Sequence, residues 1–292
     1  MQYHVDGELV AREDATVSVE DRGFRYGDAA FETMRVYGGR VFEWERHRAR
    51  LGRTCETLGM SDAVPDDLDT RVAETLAAND LQEAYCRVSV TRGVQPGKLT
   101  PAPAVDPTVV VAVSELPEGG VGGGKSWTDP AVVESVETRR IPDECLPADA
   151  KTHNYLNGIL ARLELRRASS GGDATGAADE ALLCDTDGYV AEGASSNLFF
   201  VADGTLHTPE VGAILPGITR EVVLELASEE SFPVERGRYT LDDVRRADEA
   251  FLTNSTWELR PVGSVDGAEV GDGPITTLLT RLYEGRVESV CY

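Results

Sequence analysis

Only three of the 28 basic residues in this 292-residue chain are lysines, Lys98, Lys125 and Lys151; the other 25 are arginines. Lysine can do one thing that arginine cannot. Its amine, once desolvation lowers its pKa, condenses with an aldehyde to a Schiff base, whereas a guanidinium stays protonated. Lys98 lies in a Pro/Gly loop and Lys125 in a glycine-rich stretch. Lys151 instead follows a strand-like segment and opens a long amphipathic run, Lys151-Thr152-His153-Asn154-Tyr155-Leu156-Asn157-Gly158. A lysine at a helix start is also a common surface residue, so the position alone does not decide its role.

Two further segments could do chemistry. Glu192 stands in Tyr189-Val190-Ala191-Glu192-Gly193-Ala194-Ser195-Ser196-Asn197-Leu198, between small residues and an apolar strand. Such a carboxylate suits a heterocyclic nitrogen, or plain solvation in a loop. In Ile214-Leu215-Pro216-Gly217-Ile218-Thr219-Arg220, Pro and Gly lead into an amphipathic helix. Its open amides and dipole favour a phosphate, while Thr219 as an ordinary N-cap is the plainer use of the same residues. Residues 119–126 also match the phosphate-loop pattern G-x-x-x-x-G-K-[ST]. That pattern needs a helix behind it, and Trp127-Thr128-Asp129-Pro130 interrupts any helix within a turn. The stretch reads as a linker that ends in Lys-Ser, with a nucleotide-binding protein as the distant alternative.

The elements that must position these groups are well punctuated. Helical periodicity covers 45–58, 68–78, 154–168, 218–228 and 275–287, and strand-like runs cover 85–91, 108–114, 131–137, 181–184, 198–201 and 250–253. Asp-Gly pairs at Asp6-Gly7, Asp187-Gly188, Asp203-Gly204 and Asp266-Gly267 are hairpin-turn candidates, because both residues tolerate positive φ. Helices and strands mix without strict alternation, which predicts an α+β fold. The run Pro117-Glu118-Gly119-Gly120-Val121-Gly122-Gly123-Gly124 reads as a flexible connector. The expected organisation is a small N-terminal domain (1–116), a linker (117–126) and a larger C-terminal domain (127–292).

Composition excludes several partners. The formal charge is −23, with 51 acidic residues, which argues against a general basic surface for nucleic acid. Such self-repulsion suits a protein built for molar salt, where the Debye length is about 3 Å. No run approaches the ~18–20 apolar residues of a membrane span. The opening residues carry no apolar signal segment, and the five scattered cysteines form no C-x-x-C and no metal framework. The expected setting is the cytoplasm.

The order of the motifs resembles the fold-type IV pyridoxal-phosphate family, which holds branched-chain and D-amino-acid aminotransferases and 4-amino-4-deoxychorismate lyase. The resemblance runs through Asp21-Arg22-Gly23-Phe24-Arg25-Tyr26-Gly27-Asp28, Phe31-Glu32-Thr33 with Arg35, His47-Arg48-Ala49-Arg50-Leu51, Lys151 to Asn157, Ala191-Glu192-Gly193 to Asn197, Leu215 to Arg220, and Thr253-Asn254-Ser255 before Pro261-Val262. It implies a pyridoxal 5'-phosphate cofactor, a small-molecule amino substrate and a homodimer. It also implies a two-domain α+β fold with a larger, cofactor-binding C-terminal domain. By this resemblance Lys151 carries the cofactor as a Schiff base and shuttles protons. Glu192 pairs with the pyridine nitrogen, Tyr155 meets the ring oxygen, and Arg50, Ile218, Thr219 and Ser255 hold the phosphate. Phe31, Thr33, Arg25, Arg87, Arg92 and Thr256 are the candidates for substrate contacts.

Within the family, D-amino-acid aminotransferases place an Arg and a His after a Thr-Arg-Gly turn. Here Thr91-Arg92-Gly93 leads to Gly97 and Leu99 at those places. Branched-chain enzymes usually carry Phe-Glu-Gly and Gly-Glu-Asn, where this chain has Phe31-Glu32-Thr33 and Ser195-Ser196-Asn197. The stretches around Arg22, His153 and Thr253 look closest to aminodeoxychorismate lyases. A class IV aminotransferase acting on branched-chain amino acids, D-amino acids or (R)-amines with a 2-oxo acid acceptor is the alternative.

Overall fold

The computed structural model describes residues 1–169, 178–212 and 214–292, and the chain divides into two compact units. The first comprises Met1–Gly124, Ala150–Asn154 and Val287–Tyr292; the second comprises Lys125–Asp149 and Tyr155–Arg286. The second unit corresponds to most of the stretch 127–292. The segment around Lys151 and the last six residues pack with the N-terminal unit.

The first unit contains β1 (Gln2–Val5), β2 (Glu8–Ala11), α1 (Arg22–Tyr26), β3 (Ala29–Tyr37), β4 (Arg40–Val41), α2 (Trp44–Thr57), α3 (Leu68–Ala78), β5 (Ala84–Thr91) and β6 (Val109–Glu115). Its strands form one antiparallel sheet in the order β2-β1-β6-β5-β3-β4. Side chains alternate across a strand. Ala30, Met34, Val36, Cys86, Val88, Val90, Val111 and Val113 therefore share a face and pack on Leu51 and Cys55 of α2 and Leu68, Val72 and Leu76 of α3. Each fully buried Val or Leu there contributes about 1.5–3 kcal/mol. The opposite face carries Phe31, Thr33 and Arg35 directly across from Ser89, Arg87 and Tyr85.

The second unit contains β7 (Ala131–Ser135), α4 (Leu156–Ser169), β8 (Glu180–Cys184), β9 (Val190–Gly193), β10 (Asn197–Ala202), β11 (Thr205–Pro209), α5 (Ile218–Glu229), β12 (Val234–Gly237), α6 (Leu241–Arg245), β13 (Glu249–Asn254), β14 (Glu258–Val265), β15 (Ala268–Glu269) and most of α7 (Pro274–Cys291). Its sheet runs β12-β11-β10-β13-β14-β7-β8-β9, with β15 paired to β14. The β11–β12, β7–β14 and β7–β8 pairs are parallel. Val133, Leu182, Leu198, Phe200, Leu252 and Val262 form its main core, and Ala161 of α4 packs on Ala181 and Leu183.

Three of the Asp-Gly pairs are two-residue hairpin turns, joining β1 to β2, β10 to β11 and β14 to β15, with positive φ at both residues. At Asp187-Gly188 only the glycine has positive φ. There the Asp185 carboxylate accepts the Asp187 and Tyr189 amides and shapes a longer turn.

Two glycines of the glycine-rich run sit in close contacts. A Cβ at Gly119 would lie 2.3 Å from the Tyr37 ring, and one at Gly123 would lie 2.4 Å from the Gly119 carbonyl oxygen. Glycine here permits close approach. Lys125, the lysine of the phosphate-loop look-alike, bonds Glu258 at 2.6 Å and Glu284 at 2.7 Å. Burial disfavours its charge, but the two carboxylates outweigh this and raise its pKa. The next element is the strand β7, so the helix that a phosphate loop requires does not form.

Among the described residues, no helix is long and apolar enough to cross a membrane, and no group of three or more His, Cys, Asp or Glu residues could hold a metal ion. All five cysteines are thiols, with only Cys145 exposed.

Candidate active site

In the first unit, residues 151–153 attach to the edge of β3 as a short extra strand. The Phe31 N–H donates to the Lys151 carbonyl at 3.0 Å, and the His153 N–H donates to the Ala29 carbonyl at 2.9 Å. Ala30 and Thr152 face each other as an antiparallel bridge. Thr152 turns with Ala30 into the core, both being buried, so Lys151 and His153 emerge beside Phe31. The Lys151 N–H also donates to Thr54 Oγ1 of α2 at 3.1 Å. Three polar groups converge on the Phe31 ring. Lys151 Nζ lies 4.4 Å from its centroid and the Arg87 guanidinium carbon 3.8 Å, while the His153 ring meets it edge-on at 5.6 Å.

Beneath Phe31, on the core side of the same strand, Glu32 meets α2. Arg50 donates Nε to one Glu32 oxygen at 2.8 Å and Nη2 to the other at 2.7 Å. His47 Nδ1 stands 2.7 Å from Glu32 Oε2. All three side chains are buried. Burial works against the Glu32 charge, yet the charge and hydrogen bonds of Arg50, aided by His47, hold its pKa down to about 2. Burial, with the positive charges of Arg50 and Lys151, lowers the His47 pKa despite Glu32. The group is therefore a carboxylate–guanidinium fork with a neutral imidazole, and it fixes Arg50 in one orientation.

The three arginine candidates for substrate differ sharply. Arg92 is buried and committed to the fold, donating to both Asp28 oxygens at 2.8 and 3.1 Å, to the Gly59 carbonyl at 3.3 Å and to the Leu58 carbonyl. Its reading as a substrate ligand gives way to one as a clamp between α2's end and the β3 start. Arg25 is exposed on α1 and leans over Gly97, where a Cβ would lie 2.7 Å from its terminal nitrogens. Arg87 alone sits at the Phe31 face beside half-buried Thr33.

In the second unit, Glu192 ends on β9 with both oxygens held. Arg140 Nε donates to Oε1 at 2.6 Å, and the Leu215 N–H (2.9 Å) and Asn197 Nδ2 (3.4 Å) donate to Oε2. Asn197 also donates to the Leu215 carbonyl at 2.9 Å, which ties the Pro216-Gly217 turn to β10. A Cβ at Gly217 would lie 2.1 Å from Asn197 Oδ1, so this turn requires glycine.

Gly217 is the N-cap of α5 and provides no side-chain cap to the amides of Ile218 and Thr219. Thr219 is inside the helix and is not the N-cap. One residue on, Arg220 is buried with Nε on Thr208 Oγ1 at 3.2 Å and Nη2 on the Pro209 carbonyl at 2.9 Å. Among the described residues no carboxylate lies within ion-pair distance of it, and burial with the charge of Arg236 pushes its pKa down to about 10. Uncapped amides, a helix dipole and a buried cation suit a phosphate dianion. Ser255 and Thr256 follow β13 in a turn organised by Asn254 Oδ1, which accepts the Thr256 N–H at 3.0 Å and the Trp257 N–H at 2.7 Å. Tyr155 is half-buried just before α4, its carbonyl accepting the Ile159 N–H.

These donors and acceptors fit pyridoxal 5'-phosphate. A primary amine, a carboxylate held by three donors and an uncapped helix start are the chemistry its aldehyde, pyridine and phosphate require. Sequence reasoning assigned no role to Glu32, His47, Arg140 or His153. The spacing of His47 and Arg50, one helical turn apart, was the available signal for a shared buried partner.

Comparison with known proteins agrees. Residues 29–265 match the family model for amino-transferase class IV. A putative branched-chain-amino-acid aminotransferase of Methanocaldococcus jannaschii is 37% identical, over 97% of this chain and 94% of its own length. A T.th. branched-chain amino acid aminotransferase solved with pyridoxamine 5'-phosphate superposes with a TM-score of 0.88 at 31% identity, covering 99% of this chain and 94% of the other. The 4-amino-4-deoxychorismate lyase of Pseudomonas aeruginosa superposes with a TM-score of 0.80 at 28% identity, covering 99% and 100%. The chain belongs to the class IV aminotransferase family and is a pyridoxal 5'-phosphate-dependent enzyme of fold type IV.

Proposed function

We propose that this enzyme is a 4-amino-4-deoxychorismate lyase, releasing 4-aminobenzoate and pyruvate. The observation that carries the reading is the polar lining of the Phe31 face. Arg87, Ser89 and His153 stand around a single aromatic ring, with Thr33 next to it on the same face of β3. A branched aliphatic side chain gains from apolar walls. A ring bearing two carboxylates and an ether gains from an arginine and hydroxyls.

Bound pyridoxal 5'-phosphate supplies an aldehyde for the substrate amine and a heterocycle that accepts electron density as a neighbouring bond breaks. Lys151 would hold it between turnovers. During reaction its amine takes the proton from the ring carbon that bears the substrate nitrogen. The carbon–oxygen bond to the enolpyruvyl group then breaks, the ring becomes aromatic, and the proton ends on the departing enolpyruvate to give pyruvate. Glu192, steadied by Arg140 and Asn197, would keep the pyridine nitrogen protonated. Tyr155 would bond the ring oxygen. Arg50, the α5 amides of Ile218 and Thr219 and the Ser255 hydroxyl are the groups that would hold the phosphate. Arg87 meets a substrate carboxylate, with Phe31, Thr33 and Thr256 as further contacts. The reading includes a homodimer.

The relatives support a second reading. They include branched-chain and D-alanine aminotransferases, which favours transfer of an amino group to a 2-oxo acid. The two differ in what a single substrate can do. A lyase turns over repeatedly on 4-amino-4-deoxychorismate without any 2-oxo acid, whereas an aminotransferase stops after one half-reaction with its cofactor as the amine. Holoenzyme in molar KCl should release 4-aminobenzoate and pyruvate in equal amounts over many turnovers. If this substrate is inert while leucine or D-alanine rapidly converts the cofactor to pyridoxamine phosphate, the lyase reading is wrong and the family membership stands.

A further inference from the structure

We propose that His153 is a specificity-determining residue, a neutral imidazole that donates a hydrogen bond from Nδ1 to the substrate carboxylate that Arg87 attracts. The inference rests on the proposed function only in placing the substrate carboxylate at the Phe31 face.

The backbone puts His153 there. Two bonds and one bridge lock residues 151–153 onto β3, and strand alternation gives Lys151 and His153 the same side. Ser89, directly across from Phe31 in the β3–β5 pairing, reaches His153 Nε2 at 3.1 Å. A serine hydroxyl either donates to Nε2 or accepts from it; we assign the first arrangement, in which the neutral ring carries its proton on Nδ1, and among the described residues Nδ1 has no partner. Burial and the adjacent Arg87 charge, against a weaker opposing effect of Asp21, push the His153 pKa down to about 4. The ring is therefore uncharged at neutral pH.

Arg87 and His153 thus flank one aromatic ring with two donors of different kinds, 3.8 Å and 5.6 Å from its centroid. The guanidinium supplies charge, and the imidazole supplies a fixed direction. A carboxylate has an oxygen for each. With Lys151 Nζ 4.4 Å from the same centroid, a carboxylate held here is oriented close to the reacting amine.

The test is equilibrium binding to holoenzyme of three probes: 4-aminobenzoate, 4-methylpentanoate and aniline, the last lacking a carboxylate. His153→Leu should weaken whichever carboxylates bind the wild type by about tenfold or more, the loss expected for a hydrogen bond to a charged group, and leave aniline unchanged. His153→Gln, which keeps a donor, should recover most of the loss. Ser89→Ala, which frees the ring to turn, should fall between. Equal weakening of aniline and the carboxylates, no weakening at all, or a wild type that binds neither carboxylate overturns the proposal. Should His153→Leu not fold, Ser89→Ala carries the comparison, with carboxylate binding weakened and aniline unchanged while His153→Gln stays near the wild type. A wild type that binds 4-methylpentanoate but not 4-aminobenzoate, with the His153 dependence intact, counts against the lyase reading and for this one.

Discussion

Replacing Glu32 by glutamine tests whether the buried fork beneath the Phe31 face is an energetic element of the fold. The change is nearly isosteric, but it leaves the Arg50 guanidinium buried without its carboxylate. A carboxyl moved from 4.5 to about 2 corresponds to roughly 3 kcal/mol of interaction favouring the charged form. Removing one partner of a buried ion pair costs about 3–5 kcal/mol, so the two estimates agree. The sign follows from linkage. A depressed carboxyl pKa adds stability that is fully present above 4.5 and lost as pH falls toward about 2. Urea unfolding in molar KCl, followed by tryptophan fluorescence, should show Glu32→Gln less stable by roughly 3 kcal/mol at pH 7. The gap should hold down to about pH 5 and then narrow as the wild type protonates its own carboxyl. Glu32→Gln combined with Arg50→Met should recover part of the loss, because no unpaired charge remains. A gap below about 1 kcal/mol at neutral pH, or one that widens on acidification, would refute the argument.

Lys151→Ala should abolish the visible band of the lysine-bound cofactor and all turnover while the protein stays folded; full activity removes Lys151 from the mechanism. Glu192→Gln should retain the cofactor but lose rate, because an amide does not hold a pyridinium proton, and unchanged turnover removes Glu192 from that role. The melting temperature should rise from tens of millimolar to molar salt as screening relieves the −23 charge; a flat profile contradicts the high-salt reading.

Local signals were legible wherever one physical rule dominated. The run at 68–78 has a clean helical period and is α3 with the same ends. Asp6-Gly7, Asp203-Gly204 and Asp266-Gly267 tolerate positive φ and are hairpin turns. The Pro216-Gly217 pair does lead into a helix N-terminus at Ile218. Where two physical causes give the same composition, the sequence alone does not decide between them. Glycine at 119 and 123 serves both flexible linkers and tight packing, and only the neighbouring Tyr37 ring and Gly119 carbonyl decide between them. Arg25, Arg87 and Arg92 are chemically identical in the sequence. Asp28 and two carbonyls consume Arg92, while the β3–β5 register brings Arg87 to the Phe31 face.

The strand β3 shows why the site itself resisted sequence reading. It is buried on nearly every position of both faces, so Ala29-Ala30-Phe31-Glu32-Thr33-Met34-Arg35 has none of the apolar–polar alternation that marks a half-exposed strand. Its polar residues are not solvated. Glu32 turns inward to hold Arg50 and His47, Arg35 donates to the Pro117 carbonyl at 2.9 Å, and Phe31 turns outward to gather Lys151, Arg87 and His153. A single strand therefore places the Lys151 amine on one side and fixes the orientation of Arg50 on the other. Shifting its register by one residue would exchange those faces, turning Phe31 and Thr33 toward α2 and the Glu32 carboxylate toward the side where Lys151 emerges. The buried ion pair forbids that exchange, because it stabilises only the register in which Glu32 meets α2. The same fork that orients Arg50 thus also specifies where Lys151 emerges.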